Sequence, residues 1–401
     1  MIWQHYLKNT KLAAKAVLIA VDLPGYGGSD SLPNYGPDQV LNVLSDFILR
    51  MREQYIQPDS EGNGRRGRVL IVAHDWGALL AFRLAAEAPQ LADRFILSNA
   101  VHPPLAFANI NTRLQAASHM LSSWKHAPGN LRLLGKAFAN IKPVLKQIIK
   151  SGYVFVFNLP SPLCSAIGSL GDFWMLRFLN AATVSRDPKQ PLTGSHGAET
   201  LASSVGPGPN QCVVVNSPTQ NTDPNPGSSD NKNTTCAPPP LCYDDAVRRR
   251  ASSGGWSEKL RLYRDGCLRR PWTKSLEVLW CLNQLENSDE TLMRRRQSSG
   301  STAGLFEVGP EGVLGAPTTV IWGREDIAIE NCIAIEGLGD YFGVRNSQLV
   351  VIGRCGHWTP VERLGESVFE TVIEWALAGE KVPLRKRFGD DYPLVTVSIE
   401  K

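Results

Sequence analysis

The sequence lacks the marks of several large protein classes. No run approaches the ~20 apolar residues that a bilayer-spanning helix requires, so no helical span is expected. The 8 cysteines form no Cys-x-x-Cys pair, which excludes a zinc ribbon or a thioredoxin-like redox site. A chain of 401 residues needs no disulfide framework, so a reducing compartment is the default. The first residues, Met1-Ile-Trp-Gln-His-Tyr-Leu-Lys8, lack the basic and long apolar stretches of a secretion signal. The expected location is therefore the cytoplasm. Without such a signal, the sequon at Asn233-Thr234-Thr235 carries little meaning. Charge is scarce and balanced. Only 20% of residues are charged and the formal net charge is +4, too mild to single out nucleic acid or a membrane as partner. The basic triplets at 248–250 and 294–296 lie in polar, turn-rich stretches and read as solvated loop. There is no internal repeat, no metal-ligand cluster and nothing that calls for a cofactor.

What is present is material for a large core, since 43% of the residues are hydrophobic. Residues 16–21, Ala-Val-Leu-Ile-Ala-Val, form a short apolar run ending in the turn signal Asp22-Leu-Pro-Gly-Tyr-Gly-Gly-Ser-Asp30. This predicts a buried strand and a loop. Residues 39–54 have helical apolar spacing. Residues 68–73 read as a second buried strand, 78–87 as a helix and 94–99 as a third strand. After a long interval, strands are predicted at 316–322 and 349–352 and a helix at 363–377, with a charged, peripheral tail after Glu380. Buried strands alternating with helices imply a mostly parallel sheet covered on both faces.

Between these blocks the pattern changes. Residues 113–124, 130–150 and 256–285 look helical and strand signals are scarce. Residues 203–240 are rich in Ser, Pro, Asn, Gly and Thr and predict disorder, as does the shorter stretch 287–302. The expected organisation is a discontinuous α/β core at 1–104 and 305–401, interrupted by a mostly helical cap at 105–304.

The chemistry gathers at three strand ends. Ala73-His74-Asp75-Trp76-Gly77 joins a strand to a helix in the small-x-nucleophile-x-Gly form of a nucleophile elbow. Asp75 would project from the top of the sheet. The first N–H groups of the helix, Trp76 foremost, would face developing negative charge. A carboxylate needs no base to attack an activated carbon. A structural job as helix N-cap is the plain alternative for Asp75. Asp326, in Trp322-Gly-Arg-Glu-Asp326, follows the next-to-last predicted strand, and His357, in Gly356-His357-Trp358, follows the last. The order nucleophile, acid, histidine is that of the hydrolase fold, and open α/β sheets place their sites at such strand ends. His357 would take a proton from water while Asp326 holds its ring. Taken singly, Asp326 could be a turn residue and His357 a capping one.

Together, the segments Asp22–Asp30, His74-Asp75-Trp76-Gly77, Gly323-Arg-Glu-Asp326 and Gly356-His357-Trp358 resemble the epoxide hydrolases, over most of 12–104 and 305–378. The resemblance implies an α/β-hydrolase fold with a helical cap, no cofactor and no metal, and a small apolar epoxide as substrate. It implies that Asp75 opens the epoxide, that His357 and Asp326 hydrolyse the ester, and that two cap tyrosines hold the epoxide oxygen. Tyr153, four residues before Phe157-Asn-Leu-Pro160, fits the first tyrosine. Tyr263-Arg264 fits the second better than Tyr243 does. Trp76 and His74 are the oxyanion and substrate-binding candidates. Packing inside the cap would explain both tyrosines equally simply. The family's His-Gly-x-Pro loop, which supplies a second oxyanion donor, has no counterpart here, and the first strands of the sheet are expected to be missing. That would leave an exposed sheet edge and cost about 100- to 1,000-fold in rate. A truncated gene model or a degenerate relative would explain the gap, and the polar stretch at 203–240 fits a retained intron as well as a real loop. Two alternatives stand beside the epoxide hydrolase. One is a haloalkane dehalogenase, which shares His-Asp-Trp-Gly and would use the Trp76 indole for halide. The other is an impaired relative that binds a ligand or partner.

Overall fold

The computed structural model describes residues 2–26, 29–56, 67–164, 166–167, 259–288, 310–389 and 392–400. The polar stretch at 203–240, nearly all of 287–302, the basic triplets, the Asn233 sequon and Tyr243 lie outside these residues.

A five-stranded sheet forms the centre, in the order β1 (Leu70–His74), β2 (Arg94–Ser98), β3 (Thr318–Gly323), β4 (Gln348–Ile352) and β5 (Val395–Glu400). The first four strands are parallel and β5 is antiparallel to β4. The short apolar runs produce this arrangement because both faces of each strand are covered. Along β2, Phe95 and Leu97 enter one core and Ile96 the other. Along β3, Val320 and Trp322 enter the first and Ile321 the second. The first face is covered by α1 (Pro37–Tyr55) and α2 (Trp76–Glu87). Helix α2 is apolar almost all round and is buried from Ala78 to Ala85, as expected for a helix pressed between sheet and neighbour.

The second face is covered by the turns at Gln4–Lys8 and Thr10–Ala13, which bury Tyr6 and Leu12, and by the C-terminal helix Arg363–Leu377. That helix buries Val368, Phe369, Val372, Ile373 and Trp375 on one stripe, a stabilisation of about 1.5–3 kcal/mol per side chain. Between β2 and β3 the regular elements among the described residues are helices: α3 (Pro103–His126), α4 (Leu131–Lys150), α5 (Gly152–Phe157), the single turn α6 (Arg261–Arg264) and α7 (Leu276–Ser288), so that residues 265–275 interrupt the helix expected over 256–285. The C-terminal helix is hereafter α8.

Two expectations need correction. Residues 16–21 form no strand, and Val17, Ile19 and Val21 are 61%, 45% and 41% exposed. An apolar run becomes a strand only when a neighbour accepts its backbone hydrogen bonds. Among the described residues, β1 is paired on its β2 side alone. The tail after Glu380 is not peripheral either. Leu384 and Phe388 are buried, and β5 adds an edge to the sheet. Val395, Val397 and Ile399 alternate at the strand period, a signal that the surrounding charges obscure.

Candidate functional site

Asp75 occupies a sharp turn between β1 and α2, with φ 49° and ψ −122°. That is uncommon territory for a residue with a side chain. The turn is held by neighbours: the Asp75 N–H donates to Ser98 O on β2 at 3.1 Å, and its carbonyl accepts from Leu79 at 2.9 Å. Asp75 stands at the N-cap position of α2 but makes no side-chain capping hydrogen bond. A Cβ at Gly77 would meet Ala73 Cβ at 3.8 Å. A methyl would fit there, and only something bulkier would crowd the turn.

Two further strand ends converge on Asp75. A Cβ at Gly323 would lie 2.0 Å from Gly356 O, so only glycine lets the end of β3 lie against the 355–356 backbone. This close approach brings Asp326 and His357 together. His357 Nδ1 lies 3.0 Å from Asp326 Oδ2, and its Nε2 lies 3.6 Å from Asp75 Oδ1. The second separation is an ion-pair distance, too long for a good hydrogen bond. Burial works to lower the His357 pKa, but Asp326 and Asp75 outweigh it and push it up to about 10. Burial works to raise both carboxylates, and His357 reverses that: each lies below its ordinary value. At neutral pH the three groups form a carboxylate–imidazolium–carboxylate chain.

Asp326 is fixed on every side. Its Oδ1 accepts from the N–H groups of Ala328 (2.7 Å) and Ile329 (2.9 Å). Its Oδ2 accepts from Asn99 Nδ2 at 2.7 Å. Asn99 was not singled out in the sequence. It sits just after β2 with φ 42°, fully buried. Its Oδ1 accepts from Gly323 N–H (3.2 Å) and Thr359 Oγ1 (3.0 Å). One amide thus ties the ends of β2 and β3 to the turn beyond β4. The only local hint was an Asn closing a buried strand, a residue type that tolerates positive φ.

His74 lies behind Asp75, with Nδ1 2.9 Å from Ser98 Oγ and its ring 5.2 Å from that of His357. Burial, with His357 nearby, pushes its pKa down to about 3, so His74 is neutral. It is also among the residues that line the cavity described below. The Trp76 N–H points at the Asp75 carboxylate and helps hold it ionised.

The tyrosines are brought together from distant parts of the chain. Tyr263 packs edge-on against Trp76 at 4.6 Å and against Phe157 at 5.0 Å, with Tyr153 6.3 Å away. Arg264 explains the pairing: Nε donates to Phe157 O at 2.6 Å and Nη2 to Leu159 O at 2.8 Å, locking α6 onto the end of α5. Burial, aided by nearby groups including Asp75, raises both phenol pKa values, so both keep their protons. Lys150, at the end of α4, donates to the carbonyls of Asp326 and Ile329, each at 3.0 Å. This anchors the inserted helices to the acid's own loop.

These groups line one cavity of about 1270 Å³. It holds Asp75, His357, Trp76, Tyr153 and Tyr263, and runs on along the open side of β1 past residues 16–23. The lining is mainly apolar with a minority of polar groups, the usual character of a small-molecule site. No cluster of potential metal ligands occurs among the described residues.

The parallel sheet, the strand-to-helix turn and the strand-end site define an α/β-hydrolase fold, and a sequence model of the alpha/beta hydrolase family matches residues 2–147. Parts of the chain are similar in sequence to epoxide hydrolases. It is 34% identical over 200 residues to epoxide hydrolase 3 of Xenopus tropicalis, covering 50% of this chain and 39% of that protein. It is 32% identical over 104 residues to epoxide hydrolase 1 of Caenorhabditis elegans, covering 25% and 22%. A haloalkane dehalogenase of Sphingobium indicum is 29% identical over 108 residues, covering 27% and 33%. The chain thus matches about two fifths or less of these relatives' length. Among solved structures, an epoxide hydrolase of Bacillus megaterium in complex with an inhibitor aligns over 94% of this chain and 88% of its own, at 16% identity and a TM-score of 0.49.

Proposed function

We propose that the protein hydrolyses small apolar epoxides to vicinal diols through an ester on Asp75. The observation that carries this reading is a carboxylate at the strand-to-helix turn, 3.6 Å from a histidine that a second carboxylate holds at 3.0 Å. Asp75, ionised at neutral pH, attacks an epoxide carbon. The C–O bond breaks, and the departing oxygen takes a proton from Tyr153 or Tyr263, both of which remain phenols. Forming the ester removes the charge on Asp75, one of the two that keep His357 protonated. The His357 pKa then falls, its proton passes to the phenolate, and the imidazole becomes a base at the step that needs one. Water, losing a proton to His357, attacks the ester carbonyl, with the Trp76 N–H facing the oxyanion. Cleavage of the acyl–oxygen bond, with the departing alkoxide taking the second proton of the attacking water, releases the diol and restores ionised Asp75 beside protonated His357. The helices between β2 and β3 act as the cap that closes this site.

Two phenols beside the carboxylate favour an oxygen leaving group over a halide. The dehalogenase alternative needs the Trp76 indole free for a halide, yet that ring packs against Tyr263. The test is a single turnover of styrene oxide in heavy-oxygen water with the wild type and Asp75→Asn. The expected result is a diol whose new oxygen comes from the carboxylate, with label appearing in Asp75 and no product from the variant. Label entering the diol directly in the first turnover, or halide release from a chloroalkane without epoxide turnover, would overturn the assignment.

A further inference from the structure

The charges of this chain are not spread evenly. Between Asp93 and Asp172 there is no acidic residue, while eight Lys or Arg occur, against a net charge of +4 for the whole chain. Most of this basic stretch is the α3–α4 hairpin. Helix α4 touches the rest of the molecule chiefly through Ala137 and Val144, its two buried residues. Its strongest apolar residues face elsewhere. Leu131, Leu134, Phe138, Leu145, Ile148 and Ile149 are 70%, 39%, 62%, 45%, 47% and 78% exposed.

At 3.6 residues per turn these six fall within a sector of about 100°. Arg132, Lys136, Lys142, Lys146 and Lys150 fall in the sector beside it. The helix therefore has three faces: a narrow one on the protein, a wide apolar one on solvent and a cationic one along its flank. Lys146 and Lys150 pair with Glu330, at 3.8 and 3.0 Å. Arg132, Lys136 and Lys142 have no acidic partner among the described residues. Helix α8 has an equally apolar stripe, but hides it under the sheet.

We propose that α4 docks on an anionic lipid bilayer, its apolar face in the acyl–headgroup boundary and its basic flank against lipid phosphates. An exposed apolar sector of this width with a cationic helix face along one side is the pattern of a helix lying in a membrane interface. A nucleic acid would need the basic flank but not the apolar face, and a second protein would have no reason to prefer a flank without acids. No helix among the described residues is long and apolar enough to cross a membrane, and α4 would lie along the bilayer surface. Lys150 at the end of α4 lines the catalytic cavity. On the reading of the site above, docking places the entrance where apolar epoxides dissolve.

Co-sedimentation of the full chain with vesicles tests this without any measurement of activity. Binding is expected to vesicles of phosphatidylcholine mixed with phosphatidylserine, with much weaker binding to phosphatidylcholine alone and loss in high salt. Phe138→Ser/Leu145→Ser and Arg132→Gln/Lys136→Gln/Lys142→Gln should each weaken binding about 10-fold or more with the circular dichroism spectrum unchanged. Amide exchange of the unmodified protein over 131–150 should slow when vesicles are added. The proposal is overturned if the wild type ignores anionic vesicles, or if the apolar variant binds as tightly as the wild type. It is also overturned if 131–150 are protected in a dimer that the apolar variant dissolves.

Discussion

The geometry of Asp326 and His357 depends on the side-chain amide of Asn99. Asn99 donates to Asp326 Oδ2 and accepts from Gly323 and Thr359. A hydrogen bond to a charged group is worth about 1.5–3 kcal/mol, so Asn99→Ala should lower kcat/KM about 10- to 100-fold, with KM little changed. Without that donor the Asp326 carboxylate is a stronger base and holds the His357 proton more firmly. The His357 imidazole resonance should therefore titrate at higher pH in the variant than in the wild type. A variant that loses activity while this titration stays in place would assign Asn99 to stability alone. Asp75, Asp326 and His357 are legible in the sequence because each closes a short apolar strand at a turn dense in small residues. Tyr153 and Tyr263 are legible only through family spacing. Asn99 is not legible, because its meaning lies in a positive φ and in partners more than 200 residues away.

At the scale of elements, the sheet is clamped at the end remote from the site. Arg94, fully buried at the start of β2, donates to both oxygens of Glu380 at 2.7 and 2.6 Å and to Thr319 on β3 at 2.8 Å, and lies over the Trp375 ring at 4.7 Å. Glu380, just past α8, also pairs with Arg68 and Asn346. Removing one partner leaves a buried charge uncompensated, so Glu380→Ala should cost about 3–5 kcal/mol. The midpoint of urea unfolding measures it, and a midpoint unchanged within error would make the clamp ornamental. This cluster shows why elements were easier to read than their connections. Helix α8 follows from its apolar spacing, and the parallel strands from their β-branched runs. That Glu380 reaches back to residue 94 has no local signature, and the same holds for β5. The run at 16–21 illustrates the converse: its composition is that of a strand, but pairing is a property of two segments.

For the molecule as a whole, three buried histidines set opposing pH dependences. Burial lowers His74 from 6.5 to about 3 and His102 from 6.5 to about 4. As pH falls below 6.5 the unfolded chain takes up those protons first. Stability present above 6.5 is then lost toward pH 3–4, at up to about 1.4 kcal/mol per pH unit for each group. His357, raised to about 10, works the other way: its contribution is full below 6.5 and is lost as pH rises through about 10. Denaturation midpoints from pH 4 to 10 should peak near neutrality. His102→Gln, which keeps a donor for the Gly312 carbonyl, should flatten the acid limb and leave the alkaline limb alone. An unchanged acid limb would mean that His102 is not held neutral.

The pairing of β2 with β3 has a consequence in time. The two strands lie side by side but about 220 residues apart in the chain. At a synthesis rate of roughly 5–20 residues per second, the flank of β2 waits about 10–45 s on the ribosome for its neighbour. Phe95, Ile96 and Leu97 stand uncovered on that side throughout, and yield of the native protein in cells becomes a contest between completing the chain and capture by a chaperone.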